Sequence, residues 1–256
     1  MNTVDLAQLP LWADRAMWVL ARVVGLCLAA PVFGSSVVPV RVRVAVAVLL
    51  GLALLPLAPG TVDPLSAAGV ATLAGQVLIG ATIGFVLWLA FQAVAYGGQL
   101  VAQTMGLGFA ETIDPSGGGS SPTLGQFYLA LVTLLFLAMD GHLRLVALLA
   151  ESFRQLPPGA GAVPAAGLHA VAAFAGALFL GAVRVALPAL TALLVVNMGF
   201  AAISRAAPSM NLFAVGFPIT LCLGFMALWL SLRSLPGAFE AVLDRAWALM
   251  RALAGG

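Results

Sequence analysis

Few residues in this chain have side chains suited to catalysis: two histidines, two cysteines and nine carboxylates among 256 residues. A hydrolase would need a nucleophile or a carboxylate pair with a base held nearby. His142 follows Asp140 and Gly141, a turn sequence in which Asp and Gly supply unusual backbone angles. His169 opens a helix near Pro164 and reads as structural. Glu111 and Asp114 stand three apart in a polar segment, where they can share a proton or bind a cation, but further oxygen ligands are missing and a solvated loop explains them equally well. Cys27 and Cys222 are embedded in apolar sequence without a second ligand at metal spacing, and are expected as two buried thiols. The residues therefore give no catalytic, cofactor or metal site, and the expectation is a non-enzyme.

Polar side chains in apolar surroundings are more informative. Gln92, Tyr96, Gln99 and Gln103 recur at i, i+4, i+7 and i+11 and share one helix face. Such a face avoids lipid, and either hydrogen-bonds to another helix or lines a wet lumen, with the polar segment that follows favouring the lumen. Arg184 and Arg205 lie in or beside apolar runs, where an unpaired charge costs at least about 2.5–3.5 kcal/mol at the bilayer centre. They are expected to be paired, snorkelling or outside the lipid. Gly80-Ala-Thr-Ile-Gly84 is a small-xxx-small motif that lets a neighbouring helix approach closely.

The elements that carry these groups belong to a membrane. The chain is 62% hydrophobic and 8% charged, with a mean hydropathy of +1.12, whereas soluble domains are about 25% charged. Its net charge of +2 comes from arginines without any basic run, which argues against nucleic acid or an anionic lipid patch. Asp5 and Asp14 precede the first apolar run without a basic leader, so no removable signal peptide is read. Six main apolar segments run from Leu11 to Ala30, Val42 to Leu57, Val70 to Gln103, Leu124 to Met139, Leu168 to Ala202 and Leu212 to Leu232. The expectation is an all-α integral membrane protein of about six main hydrophobic helices, several of them long, kinked or broken.

Lengths fit a simple bundle badly. A span needs about 20 residues, yet no charge occurs between Asp63 and Glu111, so that stretch must break, tilt or leave the bilayer. Pro188 and Pro218 are expected to kink or interrupt their helices. Hairpins packed against other subunits resolve the misfit. Two shorter stretches are amphipathic: Leu145, Leu148, Leu149, Phe153 and Leu156 line one face, expected at an interface, and Phe239, Val242, Leu243, Ala246, Trp247 and Met250 line another, expected as a surface or partner-docking helix.

Between two charge-free stretches lies a polar insert, Gly106 to Pro122, with three consecutive glycines flanked by serines. Irregular backbone cannot face lipid, so it lies outside the bilayer, in protein, or along an aqueous cavity. Its glycines leave the backbone many conformations. On the residues alone an exposed connecting loop is favoured.

The order of motifs resembles the FliR family of the flagellar export apparatus, with the SctT proteins of virulence secretion as relatives. The resemblance is carried by Ala30-Pro31-Val32-Phe33-Gly34, Val38-Pro39-Val40-Arg41-Val42-Arg43, Met105-Gly106-Leu107-Gly108-Phe109-Ala110, Asp114-Pro115, Ser121-Pro122-Thr123-Leu124-Gly125-Gln126-Phe127, Gly141-His142-Leu143, and Arg205 through Pro208 and Asn211 to Gly216-Phe217-Pro218. The middle motif is closer to the flagellar branch.

The resemblance implies a non-enzymatic export-gate subunit in the bacterial inner membrane and flagellar basal body, without nucleotide or other cofactor. Its helices would form hairpins within a helical hetero-oligomer with FliP and FliQ proteins, near FlhB and FlhA, with much of the complex above the membrane plane and unfolded flagellar polypeptides as substrates. It divides the chain into a FliP-like N-terminal helical region (residues 1–105), a pore-plug loop 106–122, a helix and amphipathic connection 123–164, a FliQ-like hairpin 165–235 and an amphipathic tail 236–256. Plug residues would be Met105, Gly106, Leu107, Phe109, Glu111, Ile113, Asp114, Pro115, Gly117, Gly118 and Gly119, the apolar ones sealing and the acidic ones meeting water. Gln92, Tyr96, Gln99 and Gln103 would face the lumen. Gly80, Gly84, Arg184, Arg205 and Asn211 are expected at assembly contacts. A virulence-secretion gate subunit and a small-solute transporter are the alternatives.

Overall fold

Proline, serine and glycine punctuate the apolar sequence into helices. The computed structural model describes residues 9–34, 38–58, 66–107, 123–206 and 212–255. The described helices are α1 (Leu9–Ala29), α2 (Val40–Leu54), α3 (Ala67–Thr104), α4 (Thr123–Ala138), α5 (Gly141–Gln155), α6 (Ala165–Ala206), α7 (Leu212–Ser231) and α8 (Leu235–Leu253). No strand occurs among the described residues. The fold is all-α, as the composition requires.

Local chemistry sets the boundaries. Pro39 stands immediately before α2, where its missing N–H has no helical partner to lose. Ser66 Oγ accepts a 3.0 Å hydrogen bond from Gly69 N and caps α3. Asp140 takes φ 55° and ψ 25°, in the left-handed region, and α4 and α5 are bent by 68° across it. The expected Asp-Gly turn is therefore present.

The six apolar segments all appear as helix, but they do not all qualify as spans. Among the described residues four helical stretches are long and apolar enough to cross a membrane, Val40–Leu57, Ala67–Thr104, Ala165–Ala206 and Gly216–Leu253, or five if the bent pair α4–α5 is one span. α1 carries Asp14, Arg15 and Arg22, and α4 has only 16 residues. α3 runs unbroken for 38 residues and α6 for 42, about 57 and 63 Å at 1.5 Å per residue. Of the routes open to the charge-free stretch, breaking within α3 is not used. Interruption at Pro188 and Pro218 does not occur either, since both prolines lie inside continuous helices. Proline removes one ladder bond, and the turns on either side are long enough to carry the helix past it.

The chain forms two compact units. The first comprises residues 1–89, 136–174 and 245–256, and the second 90–135 and 175–244. In the first unit α1 packs against α2 and the 3-10 turn Leu55–Leu57. It also meets α3 backbone to backbone: a Cβ on Gly80 would lie 1.9 Å from the Arg22 carbonyl oxygen, and one on Gly84 would lie 2.8 Å from that of Leu26. The small-xxx-small motif thus serves a contact within the chain.

That close approach buries a cation. Arg22 is fully buried on the face of α1 that also buries Trp18, Val19, Val23 and Leu26. Its Nε donates to Gln76 Oε1 of α3 at 2.8 Å, with Nη2 donating to the same oxygen, and its Nη1 donates to Ser152 Oγ of α5 at 2.9 Å. Nη2 also donates to the Leu156 carbonyl at 2.6 Å. The guanidinium carbon lies 4.0 Å from the centroid of the Phe153 ring, a cation–π arrangement. No carboxylate among the described residues forms an ion pair with it. Neutral oxygens and an aromatic face hold the charge instead, tying α1, α3 and α5 together.

The amphipathic stretches bury the faces read from the sequence. Leu145, Leu148, Leu149 and Phe153 of α5 are buried, as are Phe239, Val242, Leu243, Ala246, Trp247 and Met250 of α8. Both faces are covered within this chain. The two cysteines depart from expectation: Cys27 is half-buried and Cys222 is exposed. α7 is apolar all round and only part of it packs against this chain, so apolar sequence there does not mean core.

Two outcomes follow for the chain in detergent. Gln76→Leu strips two hydrogen bonds from the buried cation and should lower unfolding stability by about 1.5–3 kcal/mol; adding Arg22→Met should recover most of the loss, read from denaturant curves as a double-mutant cycle. Gly80→Ala should destabilise by about 1–3 kcal/mol because backbone blocks its methyl. Gly176→Ala in α6, where nothing lies within 4 Å, should be neutral or stabilising by up to about 1 kcal/mol.

Candidate functional site

The polar row and the chain exit that follows it lie together in the second unit. On α3, Phe91, Val94, Val101 and Ala102 are buried, while Tyr96 and Gln103 are exposed and Gln92 and Gln99 half-buried. The four polar side chains therefore share the accessible side of the helix, as their spacing demands. None of them hydrogen-bonds to another described side chain. Of the two readings left open by the residues, pairing with another helix of this chain is not realised; the row remains available to water or to a second subunit.

The opposite side of α3 is fixed by close packing. Gly98 lies under the Tyr128 ring of α4, so that a Cβ would come within 2.6 Å of Tyr128 Cδ2. Tyr128 Oη is 3.4 Å from Ser231 Oγ, which itself donates to the Leu228 carbonyl of α7 at 2.8 Å. This leaves the phenol as donor to the serine. A buried hydroxyl pair thus locks α4 to the end of α7, and α3 packs against Tyr128 through a residue with no side chain.

Directly after the row, α3 ends in a Schellman cap. Leu107 N donates to the Ala102 carbonyl and Gly106 N to that of Gln103, at 3.0 and 3.1 Å, with Gly106 at φ +80°. This pattern satisfies the last carbonyls and needs a left-handed residue at its centre, which glycine adopts without strain. The cap is held from the side by α7: Met105 is buried and occupies the space above Gly224, and Gly106 lies beside the Phe217 ring. Of the plug residues, Met105 is thus an anchor inside the second unit, and Gly106 and Leu107 form the turn. Phe109, Glu111, Ile113, Asp114, Pro115, Gly117, Gly118 and Gly119 lie outside the described residues.

The remaining candidates are dispersed. Gly80 and Gly84 belong to the α1–α3 contact of the first unit. Arg184 and Arg205 are exposed on α6 and have no carboxylate partner among the described residues; Arg205 sits in the last turn, where the helix dipole favours a cation. Asn211 lies outside the described residues. Asp140 is exposed and His142 half-buried at the α4–α5 bend. Among the described residues no group of three or more His, Cys, Asp or Glu is arranged to hold a metal. Sequence reading passed over Gln76, Ser152 and the anchoring role of Arg22. The available signal was the one that flagged Arg184: a polar residue inside an apolar helical run must find a partner.

With this geometry in place, comparison with known proteins is direct. The model for bacterial export proteins, family 1, matches residues 14–246. The chain is 38% identical over 240 residues to the flagellar biosynthetic protein FliR of Pectobacterium carotovorum subsp. carotovorum, covering 93% of this chain and 92% of that one. It is 35% identical to FliR of Escherichia coli K12 over 214 residues, covering 83% and 82%. Against FliR of Caulobacter vibrioides the identity is 33% over 226 residues, covering 85% and 88%. Together with helices long and apolar enough to cross a membrane, this assigns the chain to the flagellar export family at a membrane. The chain belongs to the FliR family of bacterial export proteins.

Proposed function

We propose that this chain is a non-catalytic subunit of the flagellar export gate, which with FliP-type and FliQ-type subunits surrounds the path taken by unfolded flagellar polypeptides. Residues 106–122 help to close that path. The observation that carries this reading is the Schellman cap at Gly106, anchored through Met105 to Gly224. It fixes the place where the polar insert leaves α3, immediately beyond the accessible row Gln92, Tyr96, Gln99 and Gln103. A row with no hydrogen-bonding side chain opposite it among the described residues suits a wet lumen.

Helix length and surface support assembly. At about 57 and 63 Å, α3 and α6 exceed a hydrocarbon core of about 30 Å, which fits a complex standing partly above the inner membrane in the basal body. Leu180, Leu187, Leu194 and Met198 of α6 and Phe225, Met226 and Trp229 of α7 are exposed, giving the FliQ-like hairpin 165–235 an apolar surface for neighbouring subunits. The FliP-like region, residues 1–105, would contribute α1 to α3 in the same way, with FlhB and FlhA near the complex. The flagellar identity of the relatives favours the flagellar branch over virulence secretion.

Deleting residues 110–119 should leave the complex with FliP- and FliQ-type subunits intact while raising its conductance to ions in planar bilayers; an assembled complex with unchanged conductance contradicts closure by this segment. In a chain whose Cys27 and Cys222 are replaced by serine, Ser116→Cys should cross-link to an export substrate stalled by a folded fusion domain. A cysteine at Phe179 on α6 should give no such product. Equal cross-linking at both positions would remove the special place of the insert.

A further inference from the structure

A second feature lies wholly inside the first unit. Between α5 and α8 is an open groove of about 390 Å³ whose lining includes Arg144, Ala147, Leu148, Glu151, Trp247, Arg251 and Ala254. Its floor is apolar, since Leu148, Trp247 and Ala254 are buried. Its mouth is cationic. Glu151 is already engaged: it accepts from Arg154 Nη1 at 3.1 Å and from Gln155 Nε2 at 3.2 Å. Arg144 and Arg251 therefore have no carboxylate partner among the described residues. Arg144 stacks over the Trp247 ring at 5.7 Å, and Arg251 Nε donates to the Trp247 carbonyl at 3.3 Å, leaving its terminal nitrogens to point elsewhere. Two uncompensated guanidinium groups thus flank one buried indole.

We propose that this groove binds the phosphodiester headgroup of an anionic phospholipid. Arginine offers paired N–H donors that match phosphate oxygens, and two of them beside a single carboxylate that is itself paired with Arg154 favour a ligand with net negative charge over a zwitterion. An apolar floor continuous with the headgroup site suits the first carbons of the acyl chains, which a free phosphate ion lacks. The residues also suit a water–lipid boundary: Arg144 and Arg251 are exposed on α5 and α8, and arginine and tryptophan are found together at that depth of a membrane. This sequence has no basic run. The tertiary packing of α5 on α8 gathers the two charges into one place.

The test uses the full chain, extracted with the subunits that accompany it and stripped of lipid. Binding of dihexanoyl phosphatidylglycerol is read by native mass spectrometry, with dihexanoyl phosphatidylcholine and inorganic phosphate in parallel arms. Saturable binding of the anionic lipid is expected, weakened about thirty-fold by Arg144→Gln with Arg251→Gln. Ala147→Phe, which adds a ring to the groove lining and keeps both charges, should weaken it as well, and decides the matter if the double variant fails to assemble. Undiminished lipid binding in these variants overturns the proposal. So does inorganic phosphate that binds as tightly and displaces the lipid, which would make this a soluble-anion site. Loss of an accompanying subunit with lipid binding retained also overturns it, because the arginines would then serve a protein carboxylate.

Discussion

A guanidinium held without a carboxylate organises the first unit. Leaving water costs a cation several kcal/mol, and Arg22 recovers that cost only while Gln76, Ser152, the Leu156 carbonyl and the Phe153 face all surround it. These groups come from α3, α5 and the residue after α5, so each helix must keep its register for the charge to be solvated. Apolar contacts alone would let these smooth helices slide past one another. Gly80 and Gly84 work with the charge, because only their missing side chains bring α3 close enough to α1 for Gln76 to reach the arginine.

The second unit is ordered by different means. It contains no comparable buried charge among its described residues; its fixed points are Tyr128 against Ser231, Gly98 under the tyrosine ring, and Met105 over Gly224. These are shape contacts with one hydroxyl pair, and they leave large apolar side chains of α6 and α7 uncovered. In water such a surface would drive aggregation. In a membrane it is a surface that lipid or other protein can cover, and its extent explains why so apolar a chain has so modest a core of its own.

Charge placement separates the two roles of polarity in this protein. Arg22 and Gln76 are spent internally, whereas the row from Gln92 to Gln103 and the pair Arg144 and Arg251 are left facing outward. An outward polar group on an apolar helix is costly unless water, a headgroup or a partner meets it. The row leads into the insert, and the arginine pair borders an amphipathic surface. The same accounting of unsatisfied groups therefore underlies both proposals, an aqueous path in one unit and a lipid contact in the other.

Periodicity was enough to place the six apolar helices, the buried faces of α5 and α8, the shared face of the polar row and the turn at Asp140, because helix geometry maps residue spacing onto direction without reference to the rest of the fold. Hydropathy fixed the solvent. It did not fix continuity: Pro188 and Pro218 are read as either kinks or interruptions, and of these only interruption is ruled out, since both helices run through them. It did not fix burial either, as Cys222 shows, since an apolar stretch reads the same whether it meets its own chain, another subunit or lipid. Only the tertiary structure decided that Gly80 faces the Arg22 backbone, that Gln76 and Ser152 solvate that arginine, and that Arg144 and Arg251 share a groove, because each pairing joins residues from different helices, between which no spacing rule acts.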